Sequence, residues 1–182
     1  MKYYTENELQ NFRFEGAYIA ETCAVNGIFE MILDNVTILP QNSCNRDIRE
    51  MRANELKLKI REPEITAFVE EGYKVYDADG NLKEKKEDIL IAAEDQAAKL
   101  KELEGCEIYS IEQENGVYTV SINTEDHTFM IKVSGRADIE EWDRFLSKDT
   151  NHFLFYKLFC TKTEQLYQNS CLYPLRNEHN GI

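Results

Sequence analysis

Three groups of polar residues have the types and spacing that chemistry uses. Glu125, Asp126 and His127 adjoin one another, and a carboxylate beside an imidazole is how a general base is held in one orientation. No serine or cysteine stands where spacing would make it the partner nucleophile, so the plainer reading is a turn with a solvated or capping histidine, and a metal or polar site is the alternative. His152 and His179 lie too far along the chain to complete a metal motif with His127 by spacing. Asp77, Asp79, Gly80 and Asn81 suggest a calcium loop, but an EF-hand needs its glycine at the sixth position and a bidentate glutamate at the twelfth. Here Gly80 is fourth and Asp88 twelfth, which leaves a β-turn built on Asp and Gly. Asp47, Arg49 and Arg52 offer guanidinium forks for a polar ligand, or else an internal ion pair that anchors their loop. Trp142, set among Glu140, Glu141, Asp143 and Arg144, is either an aromatic anchor for a partner or a core residue. Cys106 has Glu104 and Glu107 nearby, the wrong sign for a reactive thiol. The candidate ligand- or partner-binding residues are therefore Asp47, Arg49, Arg52, His127 and Trp142, and no catalytic residue, metal ligand or cofactor is expected.

These residues are positioned by a stretch that the chain uses twice. Residues 16–35 and 105–124 align without a gap at an offset of 89: Gly16 meets Gly105, Ile19 meets Ile108, Asn26-Gly27 meets Asn115-Gly116, and Ile28-Phe29 meets Val117-Tyr118. Asn-Gly between apolar runs predicts a two-residue hairpin turn, because both residues tolerate positive φ. The turns set the pairing. Tyr118 faces Gln113, Val120 faces Ile111 and Ile122 faces Tyr109, while Phe29, Met31 and Leu33 face Ala24, Thr22 and Ala20. A third alternating run follows each hairpin, Leu56, Leu58 and Ile60 in the first and Phe129, Ile131 and Val133 in the second. Two meanders, each with one apolar face, are expected to pack on each other. The first carries an insertion of about fifteen residues over 40–54, the kind of long loop on which function sits.

The remaining chain reads as a polar lead-in over 1–11 and a strand over 64–76 with a bulge at Gly72. Residues 89–91 are a strand or the first turn of a helix, and a helix is expected over 92–103, stopped by Gly105. A second short helix is expected over 138–148, with Asp138 as its N-cap. The fold class expected is α+β, mainly antiparallel β: two pseudo-repeated meanders packed as a sandwich or split barrel. It forms a single domain over 1–149, with the repeat at 16–62 and 105–134 and an aromatic extension over 150–182. Residues 152–166 of that extension are a helix or an apolar segment that docks on its own domain or on a second subunit, so oligomerisation through the extension is one option.

The formal charge is −13, from 34 acids against 21 basic residues. Phosphate binding needs a basic footprint, so neither nucleic acid nor an anionic membrane is the expected partner, and a basic protein is. Residues 1–13 lack the apolar stretch of a secretory signal, and no run approaches the roughly 18 apolar residues of a membrane helix; the cytoplasm is the expected compartment. Five cysteines, an odd number without CxxC spacing, predict reduced thiols.

Several motifs carry a resemblance: residues 70–84 (EEGYKVYDADGNLKE), 123–133 (NTEDHTFMIKV) and 139–146 (IEEWDRFL), together with 34–40 (DNVTILP). Over about residues 12–148 the chain is similar to a family of small acidic proteins from gut Firmicutes, some of which are called subtilin-biosynthesis sensors. A sensor kinase needs a phosphoacceptor-histidine helix and a Gly-rich ATP lid, and this sequence contains neither. The resemblance implies no catalytic residue. Charge and size favour a non-enzymatic module that binds another protein, in one concrete form an immunity-type protein that neutralises a basic toxin. The rival reading is a ligand binder or enzyme with a pocket between the sheets, near Tyr109, Tyr118 and His127.

Overall fold

Turn residues cut the alternating apolar pattern into short strands, and a computed structural model describes residues 1–25 and 27–147 of them. In chain order they form β1 (Tyr3–Glu6), a 3₁₀ turn (Leu9–Asn11), β2 (Phe12–Arg13), β3 (Ala17–Val25), β4 (Ile28–Asp34), β5 (Val36–Ile38), β6 (Met51–Ala53) and β7 (Leu56–Arg61). Then come β8 (Glu64–Glu70), β9 (Tyr73–Tyr76), β10 (Leu82–Lys86), β11 (Ile89–Leu90), α1 (Gln96–Glu102), β12 (Glu107–Glu114), β13 (Val117–Asn123), β14 (Thr128–Ser134), β15 (Ala137–Trp142) and β16 (Leu146–Ser147). The expected extension over 150–182, with its candidate helix and its role in oligomerisation, lies outside the described residues, as does Asn26 of the first turn.

Ten strands form one antiparallel sheet in the order β1-β15-β7-β4-β3-β12-β13-β14-β8-β11. Its two halves repeat each other in register. Phe29, Met31 and Leu33 pair with Ile60, Leu58 and Leu56, and Tyr118, Val120 and Ile122 pair with Val133, Ile131 and Phe129. At the join, Gly16 N–H donates to Ile108 O (3.1 Å) and Gly105 N–H donates to Ile19 O (2.7 Å). These two bonds exchange places under the offset of 89, as a local two-fold axis requires.

The halves also trade their fourth strands. Only Glu62-Pro63 separates β7 from β8, yet β8 pairs with β14 of the other half. Only Gly135-Arg136 separates β14 from β15, yet β15 pairs with β7. The two crossings touch where Arg136 N–H donates to Arg61 O at 3.0 Å. A Cβ on Gly135 would stand 2.2 Å from Ile60 Cγ2 and 3.1 Å from Arg61 O, so this crossing has room only for glycine. The inward faces form one core, including Phe29, Leu58, Ile60, Phe68, Val120 and Ile131, all at most 1% exposed. A four-stranded sheet in the order β16-β6-β5-β2 adds Phe12, Val36, Ile38 and Ala53 to the buried set.

Local differences from the sequence reading have physical causes. The helix expected over 138–148 is strand β15 followed by β16: β15 is hydrogen-bonded on both sides, to β1 and β7, and five of its six residues are buried. The three-residue spacing of Ile139, Trp142 and Phe145 imitated a helical stripe. Of the helix expected over 92–103, only α1 is helical, and Gly105 at φ +90° follows as the expected stop. Residues 89–90 are strand. The lead-in contains β1 and the 3₁₀ turn. The strand over 64–76 breaks at Gly72 into β8 and β9, which lie in different sheets. In both hairpins the pairing slips by one residue, so that Leu33 faces Ile19 and Ile122 faces Ile108. The residues looped out, Ala20 and Tyr109, occupy equivalent positions.

Two acids sit inside the core. Asp138 pairs with Ile60 and Glu140 with Leu58, where the other half pairs Ile65 with Val133 and Phe68 with Ile131. Asp138 is 3% exposed and Glu140 fully buried, a cost unless partners satisfy them. Tyr118 OH donates to Asp138 Oδ1 from the facing half (2.8 Å), Leu9 N–H donates to Oδ2 (3.1 Å), and Thr5 OH donates to Glu140 Oε2 (2.7 Å). Burial, then the neighbouring Asp138 carboxylate, hold Glu140 far above the ordinary carboxyl range. Its Oε1 has no donor in reach. A carboxyl proton there, turned towards Asp138, accounts for both facts. Burial and the Asp138 hydrogen bond likewise raise the Tyr118 phenol.

An acid that is protonated in the folded state and ionised in the unfolded chain stabilises fully below its unfolded pKa and loses that contribution as pH rises through its folded value. Stability to urea should therefore fall as pH rises between about pH 5 and pH 9, by at most about 1.4 kcal/mol per pH unit from this residue. Glu140→Gln should flatten that slope; an unchanged slope would show that Glu140 is ionised in the fold.

Candidate functional site

The join between the halves is short. β3 and β12 pair only at Ala17 and Tyr18 against Ile108 and Glu107, and immediately beyond, the bulges at Ala20 and Tyr109 redirect both strands. From there each hairpin runs on without the other, so neither β3 nor β12 has a described strand beside it on that side, and α1 packs against β3 and the 3₁₀ turn against β12 instead.

Hairpin geometry tells which peptide groups face outwards. Glu114 and Val117 flank the two-residue turn, with Asn115 at φ +52° and Gly116 at φ +77°. In such a turn the flanking pair is mutually hydrogen-bonded, so by alternation Gln113 and Ile111 turn their N–H and C=O groups away from β13. The equivalent positions on β3 are Ala24 and Thr22. There the N–H of Thr22 is occupied: Glu104, just beyond α1, accepts from it at 2.8 Å and from the Thr22 hydroxyl at 3.3 Å. Lys101 in turn donates to Glu104 at 2.7 Å. That ammonium is the main cause of a Glu104 carboxyl held below its usual range, and the Thr22 bonds add to it. No described strand pairs with residues 110–114 on the outer side of β12.

This seam is acidic. Residues 14–45 hold four acids and residues 102–131 seven, and neither stretch contains a lysine or arginine. Glu102 and Glu104 are answered by Lys99 and Lys101 of α1, and Glu30 by Lys59 of β7. Among the described residues Glu21, Glu107, Glu112 and Glu114, all exposed, have no ion pair. Glu112 and Glu114, two residues apart, share one face of β12. Tyr109, 60% exposed, stands on the same strand at the bulge. Unpaired carboxylates on one surface sum to a field that draws cationic partners.

The residues singled out from the sequence are not gathered into one site. Arg49 donates to Asp47 Oδ2 (3.2 Å), and the Asp47 carboxylate lies below its usual range because of Arg49, an exposed ion pair within the loop. Arg52 is in β6, opposite Thr37 and Leu146. Asp47 lines a cleft of about 650 Å³ with Lys2, Tyr3, Arg46 and Phe145. Trp142 is wholly buried, 5.5 Å from the Tyr3 ring and 5.6 Å from Phe12 and Phe145 between centroids; it is core, not an anchor presented to a partner. Tyr118 is engaged by Asp138 inside the core and Tyr109 is on the seam, and neither lines the cleft that holds His127.

His127 closes the β13–β14 turn, with its Nδ1 3.7 Å from Glu70 Oε1 in a cleft of about 390 Å³ shared with Gly72, Tyr73 and Asp126. Lys86 donates to the same Glu70 oxygen at 2.6 Å and is the main cause of a Glu70 carboxyl below its usual range. Asp77 Oδ1 accepts from Asp79 and Asn81 N–H groups at 3.0 and 2.8 Å, as a β-turn requires. No group of three or more metal-ligating side chains occurs among the described residues, and none of their helices is long and apolar enough to cross a membrane. Burial raises the Cys106 thiol, which suits an inert thiol. No protein-family profile, curated protein or solved structure matches this chain.

What sequence reasoning missed is the seam. The absence of cations from both hairpins was a readable signal, but only the topology places the two stretches side by side. Because the Glu104 carboxyl lies below its unfolded value, its contribution is present above about pH 4.5 and fades as pH falls through the folded value. Glu104→Ala should cost about 1–2 kcal/mol at pH 7 and progressively less as pH falls below about 4.5. A pH-independent cost in urea titrations would assign the residue to packing instead.

Proposed function

We propose that this chain is kin to the small acidic Firmicutes proteins it resembles and acts in the cytoplasm as a non-enzymatic binding protein for a basic protein partner. The contact surface is the β12 side of the seam, with Tyr109 as the aromatic anchor and Glu107, Glu112 and Glu114 as the charges that attract and orient the partner. Neutralisation of a basic toxin, as immunity proteins do, is the concrete form. One observation carries the reading: carboxylates that form no ion pair among the described residues flank an exposed aromatic on a strand edge that no described strand covers. The His127 cleft supports a second reading, a small polar ligand, because the buried Nδ1 of His127 lacks a hydrogen-bond partner.

The test is affinity capture with the full chain beside the variant Glu112→Lys/Glu114→Lys and the variant Tyr109→Ala. A basic protein should be held at low salt, be released by about 0.5 M salt, and bind at least about tenfold more weakly to the charge-reversed chain. Capture of neutral or acidic proteins alone, or binding indifferent to all three substitutions, would contradict the proposal.

A further inference from the structure

Among the described residues, three strands inside the ten-stranded sheet, β8, β3 and β12, have a stretch of edge that no neighbouring strand pairs with, and these edges are not equivalent. On β8, residues 64–67 have no outer neighbour among the described strands, because β11 pairs only with Val69 and Glu70. That edge is blunted: Thr66 is an extra residue in the ladder, between Ala67 opposite Lys132 and Ile65 opposite Val133, and Pro63 precedes the strand. Bulges and prolines are how sheets refuse further pairing. On β3, the outward N–H of Thr22 is occupied by the Glu104 carboxylate. The equivalent edge on β12 has neither device. Over residues 110–114 its pairing with β13 is regular, without proline or bulge, and the outward groups of Ile111 and Gln113 lie where β3 is capped.

We infer that β12 takes an extended, basic segment of the partner as an added strand, bonded through the N–H and C=O groups of Ile111 and Gln113. This rests on the reading above and specifies how the partner binds. The charges choose the occupant. In an added strand, side chains stand opposite those of β12 on the same face, so Glu112 and Glu114 meet alternate side chains of the guest, and lysine or arginine there is matched. A second copy of β12 would set glutamates against glutamates, which is repulsive. Main-chain bonds supply adhesion and the alternating charges supply selection, as in other strand-addition complexes.

The probe is a capped hexapeptide alternating lysine and valine, mixed with the full chain at low salt and compared with the same peptide N-methylated at every valine. Amide hydrogen exchange is read residue by residue. The inference predicts that the unmethylated peptide slows exchange at Ile111 and Gln113 at least about tenfold, as new hydrogen bonds do. Glu112, already bonded to β13, should change little. Gln113→Pro, with its fold checked by circular dichroism, should abolish peptide binding. Binding that depends on Glu112 and Glu114 but leaves the Ile111 and Gln113 amides unprotected, or equal binding of the methylated peptide, overturns strand addition while leaving a side-chain contact in place. Concentration-dependent dimers that protect the same amides without peptide overturn it in favour of self-pairing. Peptide binding unaffected by Glu112→Lys/Glu114→Lys would sink the seam as the partner site altogether.

Discussion

A three-stranded meander has one apolar face and no means of covering it, and that constraint organises this protein. Two copies of the meander meet the need reciprocally, each supplying the surface the other must bury. Trading the fourth strands makes the arrangement hard to pull apart. β8 belongs by sequence to the first copy and by hydrogen bonding to the second, and β15 does the reverse, so separating the halves would break main-chain ladders as well as apolar contacts. Space at the crossings is limited, and Gly135 marks where a side chain would strike Ile60.

The repeat is not exact, and its departures are informative. Where one half places Ile65 and Phe68, the other places Asp138 and Glu140 under a lid made by β1 and the 3₁₀ turn. Apolar packing would serve on either side. The acids add direction, because hydrogen bonds from Tyr118, Leu9 and Thr5 are satisfied in only one arrangement of the N-terminal strand. A network of this kind specifies which edge β1 joins, and it ties that edge to the facing half through Tyr118.

Much of this was legible in the residues. Asn115-Gly116 announced its hairpin, and the alternation of Phe129, Ile131 and Val133 announced a half-buried strand. The paired bulges were not legible, since a looped-out Ala20 or Tyr109 leaves the surrounding alternation looking regular. Nor was the strand exchange: a two-residue link such as Glu62-Pro63 reads as a hairpin, and nothing local says that the next strand leaves for the other half. Asp138 and Glu140 misled for a related reason. Acids flanking Ile139 and Trp142 look like the polar face of a helix until tertiary partners show that they are buried. Among the candidate residues, the Asp47–Arg49 pair and the core position of Trp142 followed the simpler of their two readings, whereas the acidic seam depends on which strands the topology makes neighbours.

The seam itself follows from the symmetry. The local axis runs between β3 and β12, so any surface there is built from both copies, and neither hairpin contains a lysine or arginine. The two-fold is broken where Glu104 beside α1 takes the outward N–H of Thr22, while no described carboxylate takes the equivalent N–H of Ile111 on β12, against which the 3₁₀ turn packs. The exchange of fourth strands is the claim on which this geometry stands, and cross-strand proton contacts in solution test it most directly. Contacts between Asp138 and Ile60, and between Ile65 and Val133, are predicted. Contacts placing β8 beside β7 as a simple hairpin, with Ile60 near Ile65, would contradict it.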